Sequence, residues 1–243
     1  FGMSISYAVL SVKANQVGTP DKISEALCRR LNSAMQRVSF FIIPSIMAFL
    51  VLGDSIVALL YQTGKFTRSN VEYVWAVLAG YTVGLFAATL GRLYTSAFWA
   101  LRDTRTPLRY ASIRVAAATG LGWSLAFPVS RWLGIPAHLG LIGLTLSAGV
   151  AAWIEFTLLR LSMNRRIGKT GLSAAYVARL AGIAVVAGCS AFVAKYWSRE
   201  LPPLFSGVLV LGVFGFLYLA GAWLLKIPEA TQLLQTVTRK LRA

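Results

Sequence analysis

Residues 71–100 read VEYVWAVLAGYTVGLFAATLGRLYTSAFWA, and one leucine later comes Arg102-Asp103-Thr104-Arg105-Thr106-Pro107. Apart from Glu72 near its start, the stretch holds a single charged residue, Arg92. A run this long and this poor in charge has the dimensions of a membrane-spanning helix rather than of a helix in a soluble core. Another apolar stretch begins directly after the polar turn, so the chain reverses at a membrane surface and crosses again. The reading that follows is an all-α fold, a polytopic membrane helix bundle.

Composition supports this. Of 243 residues, 57% are hydrophobic and 13% are charged, whereas a soluble domain carries about twice that charge fraction. The net charge is +16, from 24 Lys and Arg against 8 Asp and Glu. In a soluble protein such an excess would suggest nucleic acid. Here the basic residues fall in the gaps between apolar runs, without interleaved aromatics, so no nucleic-acid partner is expected. Cytoplasmic loops that meet anionic membrane lipids account for them better. Cys28 lies in a polar segment and Cys189 in an apolar one, so no disulfide is expected. With one histidine, His138, and scattered carboxylates, no metal or other cofactor is expected either.

The spans can be placed in order. Residues 1–12 read as the end of a truncated transmembrane helix, and residues 13–37 as a cytoplasmic amphipathic segment. Thr19-Pro20-Asp21 starts a helix there, and Ile23, Leu27, Leu31, Ala34 and Val38 recur at helical spacing. Residues 38–170 form a membrane bundle with spans at about 38–52, 72–100, 110–127 and 139–159. Residues 171–243 supply the last two spans, at about 174–194 and 204–225, and a basic tail from Leu233 to Leu241. That makes about six full transmembrane helices plus the end of a seventh.

Charge orients them. One side of the membrane holds Lys13, Lys22, Arg29, Arg30, Arg37, Arg102, Arg105, Arg109, Arg114, Arg160, Arg165, Arg166, Lys169, Arg179, Lys226, Arg239, Lys240 and Arg242. The other holds Lys65, Arg68, Arg131, Lys195 and Arg199. The richer side is cytoplasmic, which places the C-terminus in the cytoplasm. Trp99, Trp132, Tyr196, Trp197 and Trp223 fall at interface depth.

A few residues could carry function. Arg92 lies roughly eight to ten residues from the cytoplasmic end of its helix, a depth at which a cation faces a cavity or a partner. It either contacts an anionic lipid head group or forms an ion pair with Glu155. Asp103 can accept backbone N–H bonds at the start of the next helix, and Pro107 fits its first turn. The same turn, Arg102, Asp103, Arg105, Thr106 and Pro107, could instead be a substrate-binding or gating element in which arginines exchange partners. Pro44 frees a backbone carbonyl inside a span and is a possible hinge. Thr67, with Asn70 and Glu72, reads as a helix start, and His138 as interfacial. Gly182, Gly188, Gly207, Gly212, Gly215 and Gly221 read as close helix packing.

Taken together, some of these segments resemble a known family. Phe1-Gly2-Met3-Ser4-Ile5-Ser6 resembles the end of a central helix in the MurJ/MviN proteins, the lipid II flippases of peptidoglycan synthesis. Pro44-Ser45 matches a proline there, and Leu60-Tyr61-Gln62-Thr63-Gly64-Lys65-Phe66-Thr67 resembles a periplasmic F-x-x-G-x-F-T segment. Arg92-Leu93-Tyr94 through Ala100-Leu101-Arg102-Asp103-Thr104-Arg105-Thr106-Pro107 resembles the cytoplasmic turn Y-A-x-x-D-T-[KR]-T-P, and Gly140-Leu141-Ile142-Gly143-Leu144 a later helix start. The likeness thins after about Lys169. At Leu10-Ser11-Val12-Lys13 the chain departs from the family's Leu-Pro element.

The resemblance implies the C-terminal portion of a lipid II flippase, a transporter and not an enzyme, in the bacterial cell inner membrane. It implies a lipid-linked oligosaccharide as substrate, moved by alternating access, and a missing N-terminal half as partner. It also offers a lipid-tail groove as a second reading of the glycines between 174 and 225. The alternatives are a polysaccharide-repeat flippase of the same superfamily, a non-catalytic membrane scaffold or a gene fragment. A membrane enzyme would need clustered carboxylates or histidines that this sequence does not place together.

Overall fold

The computed structural model describes residues 20–61, 67–125, 140–198 and 202–231. The described residues form six long α-helices, α1 Pro20–Tyr61, α2 Arg68–Ala100, α3 Arg105–Ser124, α4 Gly140–Ile167, α5 Ala174–Trp197 and α6 Pro203–Leu224, and residues 228–231 are helical as well. The helix end at 1–12, His138, Arg131, Trp132 and the tail from Leu233 lie outside the described residues. By length and composition, α1, α2, α4, α5 and α6 can each cross a membrane. The expected third span is α3, whose 20 residues have spanning length but include Arg105, Arg109 and Arg114.

Two helices run further than their sequences suggest. The expected amphipathic segment and first span are one continuous helix, α1, which ends at Tyr61 rather than Leu52. Asp54 reads as a stop signal, but Lys195 of α5 pairs with it, so its charge does not break the helix. α4 continues to Ile167 rather than ending near 159. Leu159 and Met163 carry its buried stripe onward, while Arg160 and Arg165 are exposed.

The described residues pack as two units, one drawn from 20–39 and 80–173, the other from 40–79 and 174–231. In the first unit, Leu31, Ala34 and Met35 of α1 share a core with Ala87, Leu90, Tyr94 and Phe98 of α2 and with Phe156, Leu159 and Met163 of α4. α2 and α4 run parallel and touch backbone to backbone. A Cβ at Gly84 would lie 2.4 Å from the Gly149 Cα, and one at Gly80 2.5 Å from the Thr145 hydroxyl. Small residues allow this approach where dispersion, not water, drives association. The Trp153 indole N–H also reaches across to the Val83 carbonyl at 2.9 Å. α3 packs antiparallel to α4, with the Ser147 hydroxyl 3.4 Å from the Ala118 carbonyl.

In the second unit, α5 and α6 form an antiparallel pair, and both contact the later part of α1. Gly188 of α5 faces Val51, Gly207 of α6 faces Leu59, and Gly221 of α6 faces Ile183 of α5. The expected glycine packing therefore holds for these three. Gly182, Gly212 and Gly215 have nothing within 4 Å of where a methyl carbon would stand, and lie on the open face instead.

Candidate functional site

The α2–α3 connection is set by its own backbone. The Asp103 N–H donates to the Phe98 carbonyl at 3.0 Å and the Arg102 N–H to the Trp99 carbonyl at 2.9 Å. This pair of bonds closes the end of α2 as a Schellman motif, and Arg102 takes its left-handed position at φ 57°, where glycine is usual.

Asp103 then starts α3. Its Oδ1 accepts the backbone N–H groups of Arg105 and Thr106, both at 3.0 Å, and its Oδ2 accepts the Thr106 hydroxyl at 2.7 Å. The capping role expected of Asp103 is thus present, with the buried Pro107 as third residue of α3. Arg166, near the end of α4, places a guanidinium nitrogen 2.6 Å from the same carboxylate. It lies over the Phe98 ring at 5.3 Å and reaches the Thr106 hydroxyl at 3.4 Å. The hydrogen bonds from the Thr106 hydroxyl and N–H, aided by Arg166, hold the Asp103 carboxyl down at about 2. Arg102 and Arg105 are exposed and form no ion pair among the described residues.

Beside this turn lies a polar clasp that the sequence does not announce. The α4–α5 connection folds back under the first unit, with Gly168 at φ 91° and Gly171 at φ 142°. The Asn164 carboxamide oxygen accepts the Thr170 N–H at 2.9 Å and its hydroxyl at 2.5 Å. The Tyr94 hydroxyl of α2 meets the Thr170 hydroxyl at 3.0 Å, and Arg160 Nε donates to the Thr170 carbonyl at 3.3 Å. Asn32 of α1 accepts the Gly171 N–H at 3.0 Å. One short connection thereby ties α1, α2 and α4 together. Its only signal in the sequence is Gly168 and Gly171 flanking Lys169-Thr170, too ordinary a pattern to single out.

Deeper in the bundle the expected pairing of Arg92 with Glu155 is replaced. Glu155 is bonded to Arg114 of α3, Nη1 to Oε2 at 3.0 Å. The Glu155 side chain is 12% exposed and that of Arg114 39%. Depth alone suggests Arg92, but α3 packs directly on α4 and presents Arg114 to Glu155, nine residues or about 13 Å inside its own helix. Arg92 is exposed, and no carboxylate lies within ion-pair distance of it among the described residues. It sits in a stripe of Tyr81, Leu85, Ala88, Arg92, Thr95 and Trp99, at alternating steps of four and three. This stripe faces away from the buried Leu90, Tyr94 and Ala97.

Comparison with known proteins gives one consistent result. The family model described as lipid II flippase MurJ matches residues 1–212. The chain is similar to the probable lipid II flippase MurJ of Rhizobium tropici, 31% identical over 194 residues, covering 77% of this chain and 34% of the relative. It is similar to that of Thermotoga maritima, 24% identical over 235 residues, covering 97% of this chain and 44% of the relative. A solved structure of lipid II flippase MurJ in an inward closed conformation superposes with a TM-score of 0.69 at 20% identity. The match covers 93% of this chain and 43% of that one, a likeness of fold. The chain thus spans less than half the length of each of these relatives.

Proposed function

The chain belongs to the lipid II flippase MurJ family, and from that premise we propose that it forms the C-terminal portion of a transporter for a lipid-linked peptidoglycan precursor. It is a multi-pass protein of the bacterial inner membrane, as its apolar helices and its family together require. A lipid carrying a diphosphate and sugars needs a path that shields its polar head from hydrocarbon, opened alternately to each side. Such transport needs cationic and polar contacts but no nucleophile.

The observation that carries this reading is Arg92. A guanidinium eight residues, or about 12 Å, inside α2 is costly unless it faces a cavity or an anion. Glu155, the carboxylate at comparable depth, is already held by Arg114. Arg92, exposed between the half-buried Ala88 and Thr95, is therefore suited to meet the anionic head of the substrate. The Asp103–Arg166 contact is the second element of the proposal. Arg102 and Arg105 flank Asp103 in the chain, and either can take its carboxylate when Arg166 leaves, which would make the turn a cytoplasmic gate.

The test is transport of a fluorescent lipid diphosphate in proteoliposomes, compared with the amount of folded protein. Losing a charge-assisted contact to the head group costs roughly tenfold or more in rate. Arg92→Ala is expected to show that loss with folded protein near the wild-type level, and Arg92→Lys a partial one. Equal loss of transport and folded protein would reduce Arg92 to a structural role.

A further inference from the structure

Pro44 sits inside α1 and has no N–H to give. In a regular helix that N–H would bond the carbonyl four residues earlier, here that of Phe40. Phe40 is fully buried, so water cannot substitute. The Tyr218 hydroxyl of α6 donates to this carbonyl at 2.7 Å. Tyr218 is itself buried, and its ring lies 5.5 Å from that of Phe40. At the next position, the Ser45 hydroxyl bonds the Phe41 carbonyl at 2.8 Å from within α1. The carbonyl that proline orphans is thus answered from a helix 178 residues away in the chain.

We propose that Tyr218 is a positioning residue: its hydroxyl is the partner that Pro44 makes necessary, and through it α6 holds the shape of α1. Its part in transport rests on the flippase reading above; the bond itself does not. An unanswered carbonyl is expensive in hydrocarbon, so the backbone of α1 around Pro44 cannot rearrange freely while α6 stays in place. Lys195 of α5 holds Asp54 of α1, fourteen residues or about 21 Å further along the axis. With two polar holds on one helix, α5 and α6 move with this part of α1 rather than independently of it.

The test separates the hydroxyl from the ring. Tyr218→Phe keeps the ring and its contact with Phe40 but deletes the donor. In the natural background it is expected to lower the folded-to-unfolded ratio about tenfold, as for a buried acceptor left without its donor. Pro44→Ala restores an N–H that can bond the Phe40 carbonyl. In that background Tyr218→Phe is expected to change the ratio less than about twofold. Equal losses in both backgrounds would overturn the assignment, because the hydroxyl would then have nothing to do with the proline. In proteoliposomes, Tyr218→Phe is expected to slow lipid translocation severalfold at saturating lipid without changing the half-saturating concentration. An unchanged rate in the folded variant would overturn the positioning role. If a full-length transporter that contains the unsubstituted chain moved no lipid, the flippase reading would fail, and the stability comparison would still decide the Tyr218 assignment.

Discussion

Gly84→Ala tests the packing that brings α2 and α4 together. The added methyl carbon would sit 2.4 Å from the Gly149 Cα and 3.2 Å from its carbonyl oxygen. Ordinary contact needs 3.4 Å or more, so the helices must part by about 1 Å, and no rotamer can absorb it because both atoms are backbone. Overpacking of this kind costs about 1–3 kcal/mol, against a gain of up to about 1 kcal/mol from replacing a helical glycine. The net expectation is a loss of about 1–2 kcal/mol, a factor of about 5–30 in the folded ratio. The reciprocal Gly149→Ala is milder: its methyl meets the Gly84 nitrogen at 3.0 Å and Cα at 3.4 Å. Gly212→Ala, with nothing within 4 Å, should be neutral or stabilising. Equilibrium unfolding in mixed detergent micelles, followed by helical circular dichroism, ranks the three. A Gly84→Ala protein as stable as Gly212→Ala, or more stable than Gly149→Ala, would refute the backbone contact.

Two more outcomes follow from the polar groups. Glu155→Gln leaves Arg114 without its charge partner and is expected to cost about 1–3 kcal/mol, less than a fully buried pair because Arg114 is 39% exposed; adding Arg114→Gln should recover part of that loss in the same unfolding assay. The Asp103 carboxyl is depressed to about 2 in the folded state, so its contribution is complete above its unfolded value near 4 and is lost as pH falls toward 2. Asp103→Asn, whose amide oxygen can still cap the helix, should therefore flatten the acid side of the stability profile in that window and leave a constant loss of up to about 1 kcal/mol at neutral pH from the missing ion pair with Arg166.

The fold is legible in the sequence because apolar runs and their basic boundaries carry it directly. Where sequence falls short, the cause is a partner that linear order does not display. Asp54 looks like the end of a span because Lys195 lies far away in the chain. Arg160, Arg165 and Arg166 look like a loop because their charge hides that Leu159, Met163 and Ile167 continue one helical face. The charge count groups Arg114 with the cytoplasmic loop, although it lies two and a half turns inside α3. The Asp103 cap is readable because it is local: donor and acceptor are separated by two or three residues. The Arg166 contact, the Thr170 clasp and the Tyr218 bond are not readable, since each joins segments whose facing sides depend on helix rotation, which charge and hydropathy leave undefined.

Arg102 and Lys226 share a backbone conformation. Both stand at left-handed positions, φ 57° and 50°, closing helices whose ends fall on the side that the charge count makes cytoplasmic. The third such end, after α4, uses Gly168 at φ 91°. A side chain in that conformation costs about 1–2 kcal/mol over glycine, so on folding grounds both sites favour glycine. What arginine and lysine provide instead is a fixed positive charge at the moment each emerging helix is sorted inward or outward. Arg102→Gly and Lys226→Gly are each expected to raise stability by about 1 kcal/mol while removing one of the charges by which the adjoining helices are oriented.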